Sequence, residues 1–231
     1  MFYRKNDFGA VLSASISSYL YITVKTHTPV FEEKIRLNYY DTELVYNKDD
    51  IKNTIIRECL KFLNIDDRIY IGTISDVPSS PGLGSSSTFA VGLLNMLYVL
   101  QGKESNKKSL AESAIYLEQT LLKESVGVQD QITTAYGGFN KIEINQDGSH
   151  KVLPLKIDKE RQEDLESRIL MIYTGVSRTA SDIAKEKIKA LPKKTTELHE
   201  MRSLVDVAID ILSSKQNLDD FGKLLNETWR L

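Results

Sequence analysis

A run of glycine and hydroxyl residues, PGLGSSS, stands at positions 81–87, directly before a long apolar segment. Apolar residues recur at helical spacing as far as Leu100, so the sequence predicts that a helix begins inside this run. A helix start needs only one capping side chain, whereas this one offers four hydroxyl residues in a row. The surplus of hydroxyl groups and backbone amides indicates an anion-binding loop at a helix N-terminus.

The loop has the properties that a chain of phosphate groups requires. The first amides of a helix have no internal partner, and the helix dipole places about half a positive charge there. Gly82 and Gly84 permit positive φ angles and a close approach of the backbone to a ligand. The simpler alternative is an ordinary capped helix behind a flexible loop. Of the known phosphate loops, the Walker pattern fails because no Gly-Lys-Ser/Thr step occurs. The dinucleotide fingerprint, and with it an oxidoreductase, fails because Ser87 stands in place of the third glycine.

Two carboxylates downstream suit the chemistry of phosphoryl transfer. That reaction needs a cation to neutralise the phosphates and often a base for the attacking hydroxyl group. Glu118 lies on a predicted helix, and Asp130 lies at the start of the next helix or turn. Taken alone, Glu118 could be a solvated helix residue and Asp130 a helix cap, and Glu124 is a competing carboxylate. Beside a phosphate loop, Glu118 and Asp130 become the candidates.

The rest of the chain predicts a mixture of helices and strands. Strands are expected at 11–27 as one bent or two separate segments, at 33–45, at 68–75, in a hairpin that turns at Asp147-Gly148, and as a buried segment at 168–175. Helices are expected at 49–65 with Asp49 or Asp50 as the cap, at 86–100, at 106–122, at 179–191, at 195–214 and from Leu218. The charged stretch 158–167 marks a domain boundary, which gives domains 1–157 and 158–231.

Composition excludes several partners. A net charge of −2 provides no basic footprint for nucleic acid and no polybasic face for a membrane. The longest apolar run, 89–100, is too short to span a bilayer. Cys59 is the single cysteine, and the three histidines match no zinc-binding spacing. We therefore predict a cytoplasmic protein without a nucleic-acid or membrane partner.

The spacing P-x3-G-L-G-S-S-S resembles the second signature motif of the superfamily of galactokinase, homoserine kinase, mevalonate kinase and phosphomevalonate kinase (the GHMP kinases). The resemblance implies that ATP and Mg²⁺ are the cofactors and that Asp130 is catalytic, accepting or orienting the proton of a sugar hydroxyl group. It implies that Ser86 and Glu118 bind the metal. The residues that would wrap the ATP phosphates are Pro78, Gly82, Leu83, Gly84, Ser85, Ser86 and Ser87.

The wider sequence resembles one branch of the superfamily, the D-glycero-D-manno-heptose 7-phosphate kinases. The strings GVQDQ, AYGG and YTGVSRTASDI carry this resemblance. It implies phosphorylation of the anomeric hydroxyl of a sugar phosphate for the synthesis of activated heptose in surface glycans, with Arg178 binding the substrate phosphate. Two alternatives stay open: another sugar 1-kinase of the galactokinase or fucokinase type, and a nucleotide-binding remnant without turnover. The implied fold class is α+β, with an N-terminal ribosomal-protein-type α/β domain and a partial C-terminal ferredoxin-like domain.

Two family motifs do not occur between Met1 and Leu231. Members of the superfamily open with a motif of the form P-x-R-x-x-L-x-G-G-G-T-D and close with a glycine-rich motif, and neither is present. We therefore expect a chain truncated at both ends, with weak or no kinase activity by itself. Lost strands would expose apolar edges that favour association, so a homodimer is left open.

Overall fold

The computed structural model describes residues 8–77, 82–172 and 194–231. In chain order the elements used below are β1 (Phe8–Ala14), β2 (Leu20–Thr26), β3 (Ile35–Asn38), β4 (Thr42–Val45), α1 (Thr54–Phe62), β5 (Ile69–Ser75), α2 (Ser85–Leu100), α3 (Lys107–Tyr116), a π-helical segment (Leu117–Leu121), α4 (Gln129–Tyr136), β6 (Phe139–Asn145), β7 (His150–Pro154), α5 (Lys159–Arg168), α6 (Thr195–Ser213) and α7 (Asp219–Arg230). The expected α+β class is confirmed, because helices are combined with two separate sheets.

The described residues divide into two compact units. Of the described residues, one unit contains 16–77 and 82–136, and the other contains 8–15, 137–172 and 194–231. Strands β6 and β7 therefore group with the C-terminal helices. This division does not fall after residue 157, where the sequence predicted a boundary. It is a division by spatial contacts, so the predicted domain boundary stays a prediction.

The first unit is a four-stranded sheet that packs against helices. The strand order is β2-β5-β3-β4, in which β3 and β5 are parallel and the other neighbours are antiparallel. Leu37 and Ile71 from the sheet and Leu93 and Leu97 from α2 are buried in one core. Gly92 lets α2 lie against β2, because a Cβ atom there would stand 2.8 Å from Ile22 Cδ1. The core therefore fixes the helix that carries the serine-rich loop.

The beginning of this unit differs from the sequence prediction at two places. The predicted single strand at 33–45 is a hairpin, because the chain turns between β3 and β4. The helix predicted from Asp49 begins at Thr54, with the side chain of Asn53 as its cap. The cause is the buried carboxylate of Glu43, which accepts hydrogen bonds from the backbone N–H groups of residues 52 and 53 and holds them outside the helix. The strand at 68–75 and the helix ending at Leu100 are confirmed.

The second unit contains an antiparallel sheet and amphipathic helices. The strand order is β1-β6-β7, so the predicted segment 11–27 is two strands that belong to different sheets. The hairpin turn at Asp147-Gly148 is confirmed, with Gly148 at φ +88°. Helices α6 and α7 are confirmed as well, and Leu165, Leu212 and Leu218 form their core with α5.

The apolar segment 168–175 was predicted to be a buried strand, and its described part contradicts this. Residues 169–172 lie outside any strand, and their side chains are exposed, with Leu170 at 80%. Residues 173–175 and the helix predicted at 179–191 lie outside the described residues. Among the described helices, none combines the length and the apolar character that crossing a bilayer requires.

Candidate functional site

Strand β5 precedes the serine-rich loop in the chain, and two hydrogen bonds hold its end. Where β5 ends, the N–H of Asp76 donates to the Tyr19 carbonyl at 2.9 Å, and the N–H of Tyr19 donates to Asp76 Oδ2 at 2.8 Å. The described chain resumes at Gly82, and Pro78 lies outside it. Gly82 and Gly84 have φ angles of +80° and +69°, as predicted for close approach of the backbone. Gly84 stands in the cap position of α2 and, having no side chain, makes no capping hydrogen bond.

The loop residues after Gly82 differ in their exposure. Leu83 is 44% exposed, Ser86 is exposed, and Ser87 is buried. The hydroxyl group of Ser87 donates a hydrogen bond of 3.0 Å to Glu118 Oε2. The serine that contacts the acidic residue is therefore the one after the predicted metal ligand, and the assignment of the metal to Ser86 stays a prediction.

Glu118 is a buried carboxylate at the point where a helix changes its winding. It belongs to the π-helical segment that continues α3, and its side chain is only 1% exposed. Its Oε2 atom accepts hydrogen bonds from Ser87 and from the Gln131 side-chain amide. Its Oε1 atom is buried and has no hydrogen-bond partner among the described residues. Burial raises the pKa of Glu118 to about 7, while the bonds from Gln131 and Ser87 oppose the rise.

This raised pKa predicts a dependence of stability on pH. The pKa of Glu118 is about 7 in the folded chain and 4.5 in its ordinary state, so the folded chain keeps this proton to higher pH. The stabilisation is complete below the ordinary pKa and is lost as the pH rises through the folded pKa. From about pH 5 to about pH 8 the free energy of unfolding of the wild-type chain should fall by about 2 kcal/mol relative to that of Glu118→Gln. Denaturant titrations at several pH values measure this, and a difference independent of pH would contradict it.

Asp130 lies against the loop. It occupies the first turn of α4, and a Cβ atom built on Gly84 would stand 3.3 Å from both Cβ and Cγ of Asp130. Its side chain has an exposed face, as a residue that meets substrate requires. Partial desolvation raises the pKa of Asp130, and a hydrogen bond from Gln129 opposes the rise. The structure thus brings the loop together with Asp130 through Gly84 and with Glu118 through Ser87. Arg178 lies outside the described residues.

The oxygen ligands at this site fit Mg²⁺. Carboxylate and hydroxyl oxygens are the hard ligands that this ion prefers, and the orphaned Oε1 atom of Glu118 is an acceptor without a donor. Among the described residues no group of three or more His, Cys, Asp or Glu side chains could hold a metal ion.

Sequence reasoning gave no role to two glutamines of the site. Gln131, beside Asp130, donates to Glu118, and the Gln119 side chain donates to the carbonyl oxygens of Val126 and Gly127 just before α4. Each follows directly after one of the two candidate acids, Asp130 and Glu118, and this adjacency is the signal that could have identified them. Amide side chains without charge give no chemical signature in a sequence.

A helix start open to anions, with two carboxylates beside it, is the arrangement of a phosphoryl-transfer enzyme. The family model "GHMP kinases N terminal domain" matches residues 51–138, which include α2, Glu118 and Asp130. The expected superfamily is confirmed.

Among curated proteins, the chain is 29% identical to D-glycero-alpha-D-manno-heptose 7-phosphate kinase of Campylobacter jejuni, over 96% of this chain and 68% of that protein. It is 30% identical to the bifunctional fucokinase/GDP-fucose pyrophosphorylase of Arabidopsis thaliana, over 71% of this chain and 16% of that protein. A solved D-glycero-D-manno-heptose 1-phosphate kinase of Bacteroides thetaiotaomicron superimposes with a TM-score of 0.74. That match has 22% identity and covers 96% of this chain and 70% of the other, and it confirms the fold.

Proposed function

We propose that the chain catalyses transfer of the γ-phosphoryl group of ATP to the anomeric hydroxyl of a sugar phosphate, with D-glycero-D-manno-heptose 7-phosphate as the acceptor. The observation that carries the proposal is the closeness of Asp130 to Gly84, where a Cβ atom would stand 3.3 Å from the aspartate side chain, because a candidate base then lies at the edge of the serine-rich loop. The similarity to the Campylobacter jejuni heptose 7-phosphate kinase supports the choice of acceptor.

The phosphates of ATP would bind at the start of α2. The backbone amides of the first turn and the hydroxyl groups of Ser85 and Ser86 are the donors in this proposal, and the helix dipole favours the negative charge. The glycines at 82 and 84 let the phosphates approach the main chain. Glu118 and Ser86 would hold Mg²⁺, which supplies charge neutralisation at the β- and γ-phosphate oxygens.

Asp130 would act on the acceptor hydroxyl. Its carboxylate takes the proton as the sugar oxygen bonds to the γ-phosphorus and the bond from phosphorus to the ADP oxygen breaks. Burial raises the pKa of Asp130, and the hydrogen bond from Gln129 opposes that rise. The position in the first turn of α4 also favours the ionised carboxylate that a base requires. Arg178 is proposed to bind the phosphate group at the far end of the sugar, since a guanidinium group binds phosphate oxygens bidentately.

A coupled assay of ADP release tests this function. We expect release that depends on the acceptor, with a higher kcat/KM for heptose 7-phosphate than for galactose or fucose. The fucose arm matters because of the similarity to the Arabidopsis thaliana fucokinase. The same assay on a form extended at both ends by the corresponding segments of the Campylobacter jejuni relative tests whether those segments raise activity.

The outcomes separate the remaining alternatives. Preference for a neutral sugar would establish another sugar 1-kinase and exclude the heptose phosphate. ATP binding without turnover on any sugar, in both forms, would establish the nucleotide-binding remnant. A cytoplasmic location and a homodimer stay predictions, for which fractionation of cells and sedimentation are the measurements.

A further inference from the structure

Gln131 is a buried residue to which the proposed mechanism gives no task. It follows Asp130 directly on α4, and it is 1% exposed. Its side-chain amide donates to Glu118 Oε2, and its own Oε1 atom is buried without a hydrogen-bond partner among the described residues. A buried amide group whose carbonyl oxygen has no hydrogen-bond donor lowers the stability of the fold. A purely structural role therefore accounts for the N–H group of Gln131 but not for its carbonyl oxygen.

Both donors that reach Glu118 select the same oxygen. Ser87 from α2 and Gln131 from α4 donate to Oε2, and within the described parts of the chain no donor reaches Oε1. The carboxylate is therefore fixed in orientation by two different helices while one of its oxygens keeps its full capacity to bind a ligand. Glu118 Oε1 and Gln131 Oε1 are both buried acceptors without a donor among the described residues, and a cation bound at Glu118 would satisfy the first of them.

We propose that Gln131 is a positioning residue for the cation that accompanies the nucleotide: its amide N–H group holds Glu118 Oε2 and so presents Oε1 as the metal ligand. The inference rests on the proposed function, since the nucleotide is taken to be ATP. Because Gln131 and Asp130 are neighbours on α4, the contact also ties the metal ligand to the candidate base.

The variant Gln131→Met tests this role. It keeps the length of the side chain and removes the donor. We expect the Mg²⁺ concentration for half-saturation to rise about tenfold, since a hydrogen bond to a charged group is lost, and the affinity for the nucleotide at saturating Mg²⁺ to be unchanged. Isothermal titration of Mg²⁺ into the chain with a non-hydrolysable ATP analogue measures the first value without turnover, and titration of the analogue at saturating Mg²⁺ measures the second.

Gln101→Met is the matched control. The Gln101 side chain also donates one hydrogen bond, of 2.8 Å to the Leu63 carbonyl, in the same unit of the fold and away from the acids. We expect a lowered Tm and an unchanged Mg²⁺ half-saturation for this control. Gln131→Asn is the second variant should Gln131→Met not fold, because it keeps an amide that is too short to reach Glu118.

Three results would overturn the inference. The first is that the folded Gln131 variants have the same Mg²⁺ concentration for half-saturation as the wild-type chain. The second is that this concentration rises equally in Gln101→Met. The third is that the wild-type chain binds no Mg²⁺ together with the nucleotide. Failure of the proposed function is a different result: the wild-type chain then binds Mg²⁺ and the nucleotide analogue but phosphorylates no sugar, and the comparison of Gln131→Met with Gln101→Met is still decisive for Gln131.

Discussion

The variant Asp130→Asn will bind ATP as the wild-type chain does and will transfer its phosphoryl group about 100 to 10,000 times more slowly. The substitution preserves the size of the side chain that lies beside Gly84, so we expect the loop to keep its conformation. It removes the carboxylate that accepts the proton of the sugar hydroxyl. Single-turnover measurement of sugar phosphate formation, together with titration of a non-hydrolysable ATP analogue, separates transfer from binding.

Asp66→Asn is the control for this result. The Asp66 side chain is 79% exposed and pairs with Lys48 at 2.6 Å, so the control loses one aspartate charge at the surface of the same unit. Its transfer rate should match that of the wild-type chain. A transfer rate in Asp130→Asn within a factor of about three of the wild-type rate would remove Asp130 from the role of base, because such a change lies far below the contribution of general base catalysis.

The second large effect is expected for Gly84→Ala. The new methyl group would stand 3.3 Å from Asp130 Cβ and Cγ, which is closer than side chains normally pack, and φ at this position is +69°. We expect the loop and Asp130 to move apart by a few tenths of an ångström or more. Displacement of reacting groups by about 1 Å lowers turnover about 100-fold, and the backbone strain costs about 1–2 kcal/mol of stability.

Gly148→Ala is the control that separates the backbone strain of alanine at a positive φ angle from the close approach of the new methyl group to Asp130. Gly148 has φ +88° in the β6–β7 hairpin, and a Cβ atom there would meet no atom within 4 Å. Both variants should lose similar stability in denaturant titrations, and only Gly84→Ala should lose turnover in the ADP-release assay. Equal turnover in the two variants would mean that the approach of Asp130 to the loop has no part in the reaction.

The periodic parts of this fold were predictable from the sequence, and the side-chain partners were not. The start of α2 follows from the glycines and hydroxyl residues before an apolar stripe, and α6 follows from its spacing of apolar residues. The exposed segment 169–172 was wrongly expected to be buried, because apolar composition alone does not distinguish a core strand from an unpaired surface segment.

For the site, the sequence predicted the acids but not their surroundings. The twelve-residue separation of Glu118 and Asp130 is visible in the sequence, while the burial of Glu118 depends on which way its helix faces. Ser87, and not Ser86, donates to Glu118. Successive residues differ by about 100° in direction around the axis of α2, and a row of identical serines does not show which of them faces Glu118. Long-range partners such as Gln131 require the packing of α4 to be known.

The direction of the Glu118 side chain depends on the π-helical segment Leu117–Leu121, and therefore on the number of residues in this part of the chain. The N–H of Leu122 reaches back five residues to the Leu117 carbonyl, so one surplus residue is accommodated there relative to a regular helix. Deleting a residue within α3 would turn Glu118 by about 100° and send its carboxylate into the apolar interior or out to solvent. Homologues that preserve the phosphate chemistry should therefore vary at the exposed positions of this helix while admitting neither insertions nor deletions between its capping residue, Asn106, and the acid.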